Sequence, residues 1–356
     1  MTRHTLIIAE AGVNHDGSLD KAVALVDAAA EAGADVVKFQ TFNARALAGK
    51  AARKADYQQR KTSADEGQRA MLERLELPHD AHHTLISRAR EHGIEFLSTP
   101  FDDASLDFLL SLNLPRIKIG SGDLTNAPLL HAAAKARATL ILSTGMATLG
   151  EIEEALGVLA HGYSPNANPP GIAAFRAAWR DPLARAFLAT RVSLLHCTTD
   201  YPCPISDVNL AAMAAMRAAF QLPVGYSDHT DGHEIAVAAV ALGASTIEKH
   251  LTLDRKASGP DHAASLEPGS FRQMVQAIRN VELALGDGIK TPQSSEIRNI
   301  PVARKSIVAA RALKAGEIIG PGDITAKRPG DGRSPLDHWS LIGTPASRAL
   351  EPDDPL

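Results

Sequence analysis

The chain has only two cysteines, 4% aromatic residues and no marked excess of either charge among its 356 residues. Cys197 and Cys203 cannot build a disulfide framework and are too far apart for a CxxC redox motif, which points to the reducing cytoplasm. The net charge of -4 and the lack of a Lys/Arg cluster give no footprint for a nucleic-acid partner. No apolar run is long enough to cross a membrane. The longest, residues 235–244, is about half a span and reads as a buried helix. Arg3 and His4 precede an apolar stretch that Glu10 interrupts before a signal-peptide core could form.

What the chain does have is a repeat of short apolar runs, each ending in residues able to do chemistry. They are TLIIAEAG (5–12), VVKFQT (36–41), EFLSTPF (95–101), RIKIGS (116–121), TLILSTG (139–145), RVSLLHCT (191–198), LPVGYSDHT (222–230) and STIEKHLT (245–252). Helical patterns lie between them. Ser18 can cap a helix whose apolar positions Ala22, Leu25, Val26 and Ala29 recur at three and four residues until Gly33 ends it. Asp102 or Asp103, Thr148, and Thr230 or Asp231 offer similar starts. Eight alternating units, with no glycine-rich dinucleotide fingerprint after the first, predict a (β/α)8 TIM barrel rather than a doubly wound sheet.

A barrel needs roughly 250 residues, so about a hundred lie outside it. Residues 43–80 form a long connection with Tyr57, Gln58, Arg60 and Lys61 in a polar stretch, of the kind that covers an active site. Residues 161–190 insert a Pro/Gly/Asn-rich loop and a short amphipathic helix, read as surface decoration or an oligomer contact. The barrel is expected over 1–286 and a polar linker over 287–299. Residues 300–356 are expected to form a small β-rich domain, from short pieces at 306–310, 317–319, 324–326 and 340–342.

The C-terminal ends of all eight strands surround one cavity in such a barrel. There Glu10, Lys38, Gln40, Thr99, Lys118, Ser121, Asp123, His229 and His250 should converge. Adjacent parallel strands lie about 4.8 Å apart, so His229 after strand seven and His250 at the end of strand eight can reach one ion. Two imidazoles with oxygen ligands suit Mn, Fe, Co or Zn; the alternative is a pair of hydrogen-bonded core histidines. Lys38 and Lys118 imply an anion such as phosphate or carboxylate, with hydroxyls from Thr99, Ser121 and Ser143 completing its site. Alternatively the lysines pair with Glu10, Asp123 or Glu248, or one forms a Schiff base, against which the second lysine and the histidines argue. Glu10, Asp123, Glu248 and Asp261 are the carboxylates available to move protons.

The chain resembles the sialic acid synthases over nearly its whole length. The resemblance is carried by IAEAGVNHDGS (8–18), VVKFQT (36–41), FLSTPFD (96–102), KIGSGD (118–123), ILSTGM (141–146), LLHCTTDYP (194–202), GYSDHT (225–230), IEKHLTLD (247–254) and GPDHAAS (259–265). ARKSIVA (303–309) and KRPGDG (327–332) resemble the antifreeze-like (SAF) domain of these enzymes. The resemblance implies condensation of phosphoenolpyruvate with an N-acylated hexose, N-acetylmannosamine or 2,4-diacetamido-2,4,6-trideoxymannose, to a nonulosonic acid and phosphate. It implies that His229 and His250 hold a divalent metal, Mn2+ or alternatively Mg2+ or Co2+. Lys38, Thr99, Lys118, Ser121, Ser143 and Ser227 would hold phosphoenolpyruvate, and Glu10, Gln40, Tyr201 and Asp261 would contact the sugar. Lys38 and Lys118 would also stabilise developing phosphate charge, with Glu10 or Asp123 moving protons. Arg328 would reach the partner's active site in a domain-swapped homodimer.

Thr199 stands where some members carry Asn, Asp123 stands where many carry Glu, and the 161–190 insertion is missing from the shortest members. The stretches 141–156, 197–204 and 258–268 lie closer to bacterial legionaminate synthases. Two other readings compete: a metal-dependent pyruvate aldolase on the same barrel, and a non-catalytic sugar-binding protein.

Overall fold

The computed structural model describes residues 4–55, 59, 67–165 and 168–356, so Tyr57, Gln58, Arg60 and Lys61 of the long connection lie outside the described residues. The chain divides into two compact units, Met1–Gly286 and Asp287–Leu356.

The first unit is an eight-stranded parallel barrel. Its strands are β1 (Leu6–Gly12), β2 (Val36–Thr41), β3 (Glu95–Pro100), β4 (Ile117–Ile119), β5 (Leu140–Ser143), β6 (Val192–His196), β7 (Val224–Asp228) and β8 (Thr246–His250). They are hydrogen-bonded in the order β3-β2-β1-β8-β7-β6-β5-β4. β3 and β4 lie side by side without a ladder, so one seam stays open. An ion pair crosses the seam where these strands begin, with Arg116 Nε 2.8 Å from Glu95 Oε1.

Side chains alternate across the wall. Outward, residues such as Ile7, Val37, Ile119, Leu142 and Tyr226 pack against the surrounding helices in the main core. Inward, Ile8, Val36, Leu97, Ile141 and Leu195 form a separate apolar plug. Gly225 is the β7 residue at that level: an added Cβ would lie 2.4 Å from Thr246 O and 2.7 Å from Leu195 Cδ2, so the plug has no room for it. The next inward residue on each plug strand, two positions on, is Glu10, Lys38, Thr99, Ser143 or Cys197, all of which line a cavity. The strand pattern thus sets an apolar floor beneath a polar layer.

Ser18 caps the helix Leu19–Glu31, accepting from Lys21 N, and the chain leaves it through Gly33 at φ +86°. Asp102 caps Asp103–Ser111, and Thr148 forms a capping box with Glu151 at the start of Leu149–Tyr163. The helix expected from Thr230 or Asp231 begins only at Glu234, because Asp228 holds Thr230 in a tight turn through its backbone N–H and its hydroxyl. The 161–190 segment forms two helices rather than one, Ile172–Arg180 and Pro182–Arg191. Asp181 splits them, accepting from Leu183 N with Pro182 opening the second.

In the second unit, residues 287–299 are exposed throughout and carry one helical turn, Ser294–Ile297. β9 (Ser306–Ala309) pairs antiparallel with β10 (Ile324–Lys327). Single bridges join Val308 to Pro355, Leu313 to Leu350 and Ile318 to Pro345 around a core of Ile307, Leu313, Ile319, Ile324, Leu341 and Leu350. The piece expected as β at 340–342 falls instead on a short helix, His338–Leu341. Ser334 caps the preceding turn with Pro335 in its first position, and Leu341 anchors the helix in the core.

Candidate active site

A cavity of about 380 Å³ opens at the C-terminal ends of the barrel strands. At its floor, Lys38 Nζ lies 3.1 Å from Glu10 Oε2 and 3.0 Å from Glu248 Oε2. Lys118 Nζ donates to Ser143 Oγ at 2.7 Å and sits 3.7 Å from Glu248 Oε1. Ser227 Oγ donates to the same Oε1 at 2.8 Å, and Gln40 Nε2 donates to Glu10 Oε1 at 3.2 Å. Lys38 also reaches Thr99 Oγ1 at 3.5 Å. Lys38, Lys118, Glu10 and Glu248 are all buried, so their charges act on one another through little water.

The two carboxylates respond in opposite directions. Burial pushes Glu10 up to about 7, and a single lysine only partly offsets it. Burial pushes Glu248 the same way, but Lys118 and Lys38 together with Ser227 outweigh it and hold the carboxyl well below its ordinary range. Burial lowers Lys118, whereas for Lys38 the two carboxylates outweigh burial and raise it. One cavity therefore holds a fixed carboxylate beside a carboxyl poised to exchange a proton near neutrality.

The histidines face each other above this floor, with ring centroids 5.6 Å apart, and the Tyr201 ring is 4.2 Å from His229. His229 Nδ1 donates to Thr198 O at 2.6 Å, which leaves Nε2, 3.3 Å from Ser227 Oγ, as the free lone pair. His250 Nδ1 is buried without a hydrogen-bond partner, and Asp261 Oδ2 lies 3.9 Å away. Burial lowers His229 to about 4 and His250 well below its usual value, so both rings are neutral at pH 7, the form a metal requires. Among the described residues no group of three His, Cys, Asp or Glu side chains is arranged to hold a metal. Two neutral imidazoles, one with a stranded nitrogen, fit a divalent ion that takes its other ligands from water or substrate.

The NeuB family profile matches residues 25–290, about three quarters of the chain. The chain belongs to the NeuB family. A SAF domain follows at residues 304–356. The chain is 47% identical to the N,N'-diacetyllegionaminic acid synthase of Campylobacter jejuni, over 99% of this chain and 98% of that protein. It is 42% identical to the enzyme of the same name from Legionella pneumophila, over 97% and 91%. The crystal structure of the N-acetylneuraminic acid (sialic acid) synthetase from Leptospira borgpetersenii, in complex with citrate, is similar at TM-score 0.67. It shares 33% identity and covers 83% of this chain and 90% of that one.

Within this NeuB-family barrel the cavity brings together Glu10, Lys38, Gln40, Thr99, Lys118, Ser121, Ser143, Tyr201, Ser227, His229, His250 and Asp261. Asp123 is a correction: it does not line the cavity. β4 ends at Ile119, and the chain turns through Ser121–Asp123 into a 3-10 helix, where the Asp123 carboxylate accepts from Asn126 Nδ2 at 3.0 Å. Arg328 lies in the second unit, exposed, with Nε donating to Ala303 O at 2.9 Å. Glu248, read only as one strand-end carboxylate among several, is the hub that joins both lysines to Ser227. Counting back two residues from His250 would have placed it inside the barrel. Cys197 and Thr199 line the cavity as well.

Proposed function

We propose that the chain is a cytoplasmic, phosphoenolpyruvate-dependent nonulosonate synthase whose acceptor is 2,4-diacetamido-2,4,6-trideoxymannose. The products are N,N'-diacetyllegionaminate and phosphate. The observation that carries this reading is the pair of buried ammonium groups, Lys38 and Lys118, flanking Glu248 in one cavity with two neutral histidines. Two cations beside one fixed carboxylate leave room for a multiply charged anion, and hydroxyls of Thr99, Ser121, Ser143 and Ser227 surround it. The acceptor follows from the likeness to the Campylobacter and Legionella N,N'-diacetyllegionaminic acid synthases.

The π electrons of phosphoenolpyruvate form a C–C bond from C3 to the aldehyde carbon of the open-chain sugar, whose oxygen takes up a proton. Water adds to the cationic C2 and gives a proton to Glu10, the carboxyl poised near 7. The tetrahedral centre then expels phosphate with its bridging oxygen, breaking C–O. The C2 hydroxyl proton leaves with the phosphate, the proton on Glu10 makes good the one taken up by the sugar oxygen, and an α-keto acid remains. Lys38 and Lys118 bind the departing charge without reorganising. Gln40, Tyr201 and Asp261 orient the sugar. A divalent ion held by His229 and His250, Mn2+ ahead of Mg2+ or Co2+, would supply Lewis acidity toward the sugar carbonyl. Arg328, lent to a partner subunit in a domain-swapped homodimer, completes the proposal and rests on the KRPGDG motif.

Phosphate release from phosphoenolpyruvate with Mn2+, compared between the diacetamido sugar and N-acetylmannosamine with product mass, tests it. A higher kcat/KM for the diacetamido sugar is expected. Release with neither sugar would sink the reading.

A further inference from the structure

The 161–190 insertion builds a second concavity among the helices that surround the barrel. A groove of about 790 Å³ is lined by the helices Ala127–Lys135, Leu149–Tyr163 and Ile172–Arg180. Gly157 lets the inserted helix sit directly on its neighbour, since a Cβ there would lie 2.9 Å from Phe175 O. The inserted helix folds back along that neighbour, with the Phe175 ring 5.2 Å from His161 and Arg176 Nη2 3.5 Å from Glu154 Oε1. Buried Leu124, Leu130 and Val158 give the groove an apolar floor.

Its walls carry opposite charges. Glu151, Glu153 and Glu154 line one side, and Arg176, Arg180 and Arg185 line the other, all six exposed. Contacts within the chain use only part of this charge. Glu151 is taken by the capping box with Thr148, Arg176 meets Glu154, and the Arg185 guanidinium lies 5.8 Å over the Trp179 ring. Among the described residues, no carboxylate pairs with Arg180 or Arg185 and no cation with Glu153. Ile172, on the groove, is 69% exposed, and Leu183, two residues before Arg185, is 80% exposed. The inserted helix is nine residues long and none of them is buried, a length that is marginal without further packing.

A small ion attracted by one wall is repelled by the other, so the groove does not suit a simple anion or cation. The two rows do complement each other. When a second copy is turned about a two-fold axis running between the rows, the acidic row of each copy falls on the basic row of the other. We propose that this groove is a self-association surface, on which a second copy of the chain docks with Glu151, Glu153 and Glu154 against Arg176, Arg180 and Arg185 on both sides of the axis. Exposed ion pairs contribute little singly, and the apolar floor with Ile172 adds the burial that a stable contact needs. The surface shares no residue with the lining of the catalytic cavity, so the inference does not rest on the synthase reading. Two domain-swapped dimers joined here would make an assembly of four chains.

The test is the mass of the full chain by sedimentation equilibrium, in the wild type and in two charge-reversed double variants. Arg180→Glu with Arg185→Glu makes both rows acidic, and Glu153→Arg with Glu154→Arg makes both rows basic. Each variant alone is expected to show half the wild-type mass, because like charges then face each other. An equimolar mixture of the two should return to the wild-type mass, since every acidic row again finds a basic one. That restoration separates a lost contact from a damaged fold. A mass that neither reversal lowers would overturn the inference and leave the groove to a small ligand or an unrelated protein. Halved masses that the mixture fails to restore would overturn it as well.

Discussion

β7 and β8 carry a second charge pair on the face away from the cavity. Asp228 Oδ2 and Lys249 Nζ are 2.9 Å apart at 0% exposure, and Lys249 also donates to Thr230 O at 2.6 Å. Asp228 Oδ1 accepts from Thr230 N at 3.0 Å and from its hydroxyl at 2.7 Å, so the pair grips the turn just past His229. Lys249→Met keeps the stem volume and strands a carboxylate that still has two donors, which places its cost at about 3 kcal/mol, the lower end for a broken buried pair. Asp228→Asn strands an ammonium with the Thr230 carbonyl and the amide oxygen, and should cost about 5 kcal/mol. The double variant buries no charge and should cost less than the sum of the singles by about 2 kcal/mol or more. Urea unfolding followed by circular dichroism reads this directly: at a slope of about 3 kcal/mol/M, Lys249→Met should lower the midpoint by about 1 M. Single losses below about 1 kcal/mol, or strict additivity, would refute the view that this pair is a closed buried unit.

Acid should weaken the barrel beyond what its carboxylates explain. Burial lowers His15 and His82 to about 4 from 6.5, so the unfolded chain binds more protons between those values. Their stabilisation is complete above pH 6.5 and lost as pH falls toward 4, about 2 kcal/mol each by pH 5; a flat unfolding midpoint from pH 7 to 5 would contradict this. Glu10, acting as a base with its carboxyl near 7, should give a kcat that falls below about pH 7. Glu10→Gln should lower kcat by about 10²- to 10⁴-fold and abolish that limb, as a pH–rate profile would show. His229→Ala and His250→Ala should each release Mn2+ measured by electron paramagnetic resonance; retained affinity in both would exclude them as ligands.

The strand ends are legible because each begins with an apolar run and stops at a polar residue, a pattern that survives without knowledge of packing. Counting in twos from those ends works on β1, β2 and β8, where Glu10, Lys38 and His250 face inward as expected. It fails after β4, only three residues long, where the turn at Gly120 rotates Ser121 toward the cavity and Asp123 away from it. Glu248 is visible but unranked, because the sequence does not say that both lysines lean on the same carboxylate. The segment at 340–342 looks like strand from its composition, and a proline-led turn upstream makes it helix. Charge networks and turn geometry depend on partners far along the chain, whereas periodicity does not.

The open seam between β3 and β4 gives the two lysines unequal mechanical support. Lys38 lies on a strand laced on both sides, to β1 and to β3, while Lys118 lies on a strand laced only to β5. The bond from Lys118 to Ser143 follows that one-sided attachment, so β5 carries the backbone of the second cation and, with Glu248 of β8 3.7 Å away, its side chain. At the far end of the seam the Arg116–Glu95 contact stands in for a ladder, and burial raises the Glu95 carboxyl despite Arg116. The wall therefore has one stitch that acid can undo where every other joint is made of backbone. Amide exchange should advance first along β4, from the edge that no strand covers.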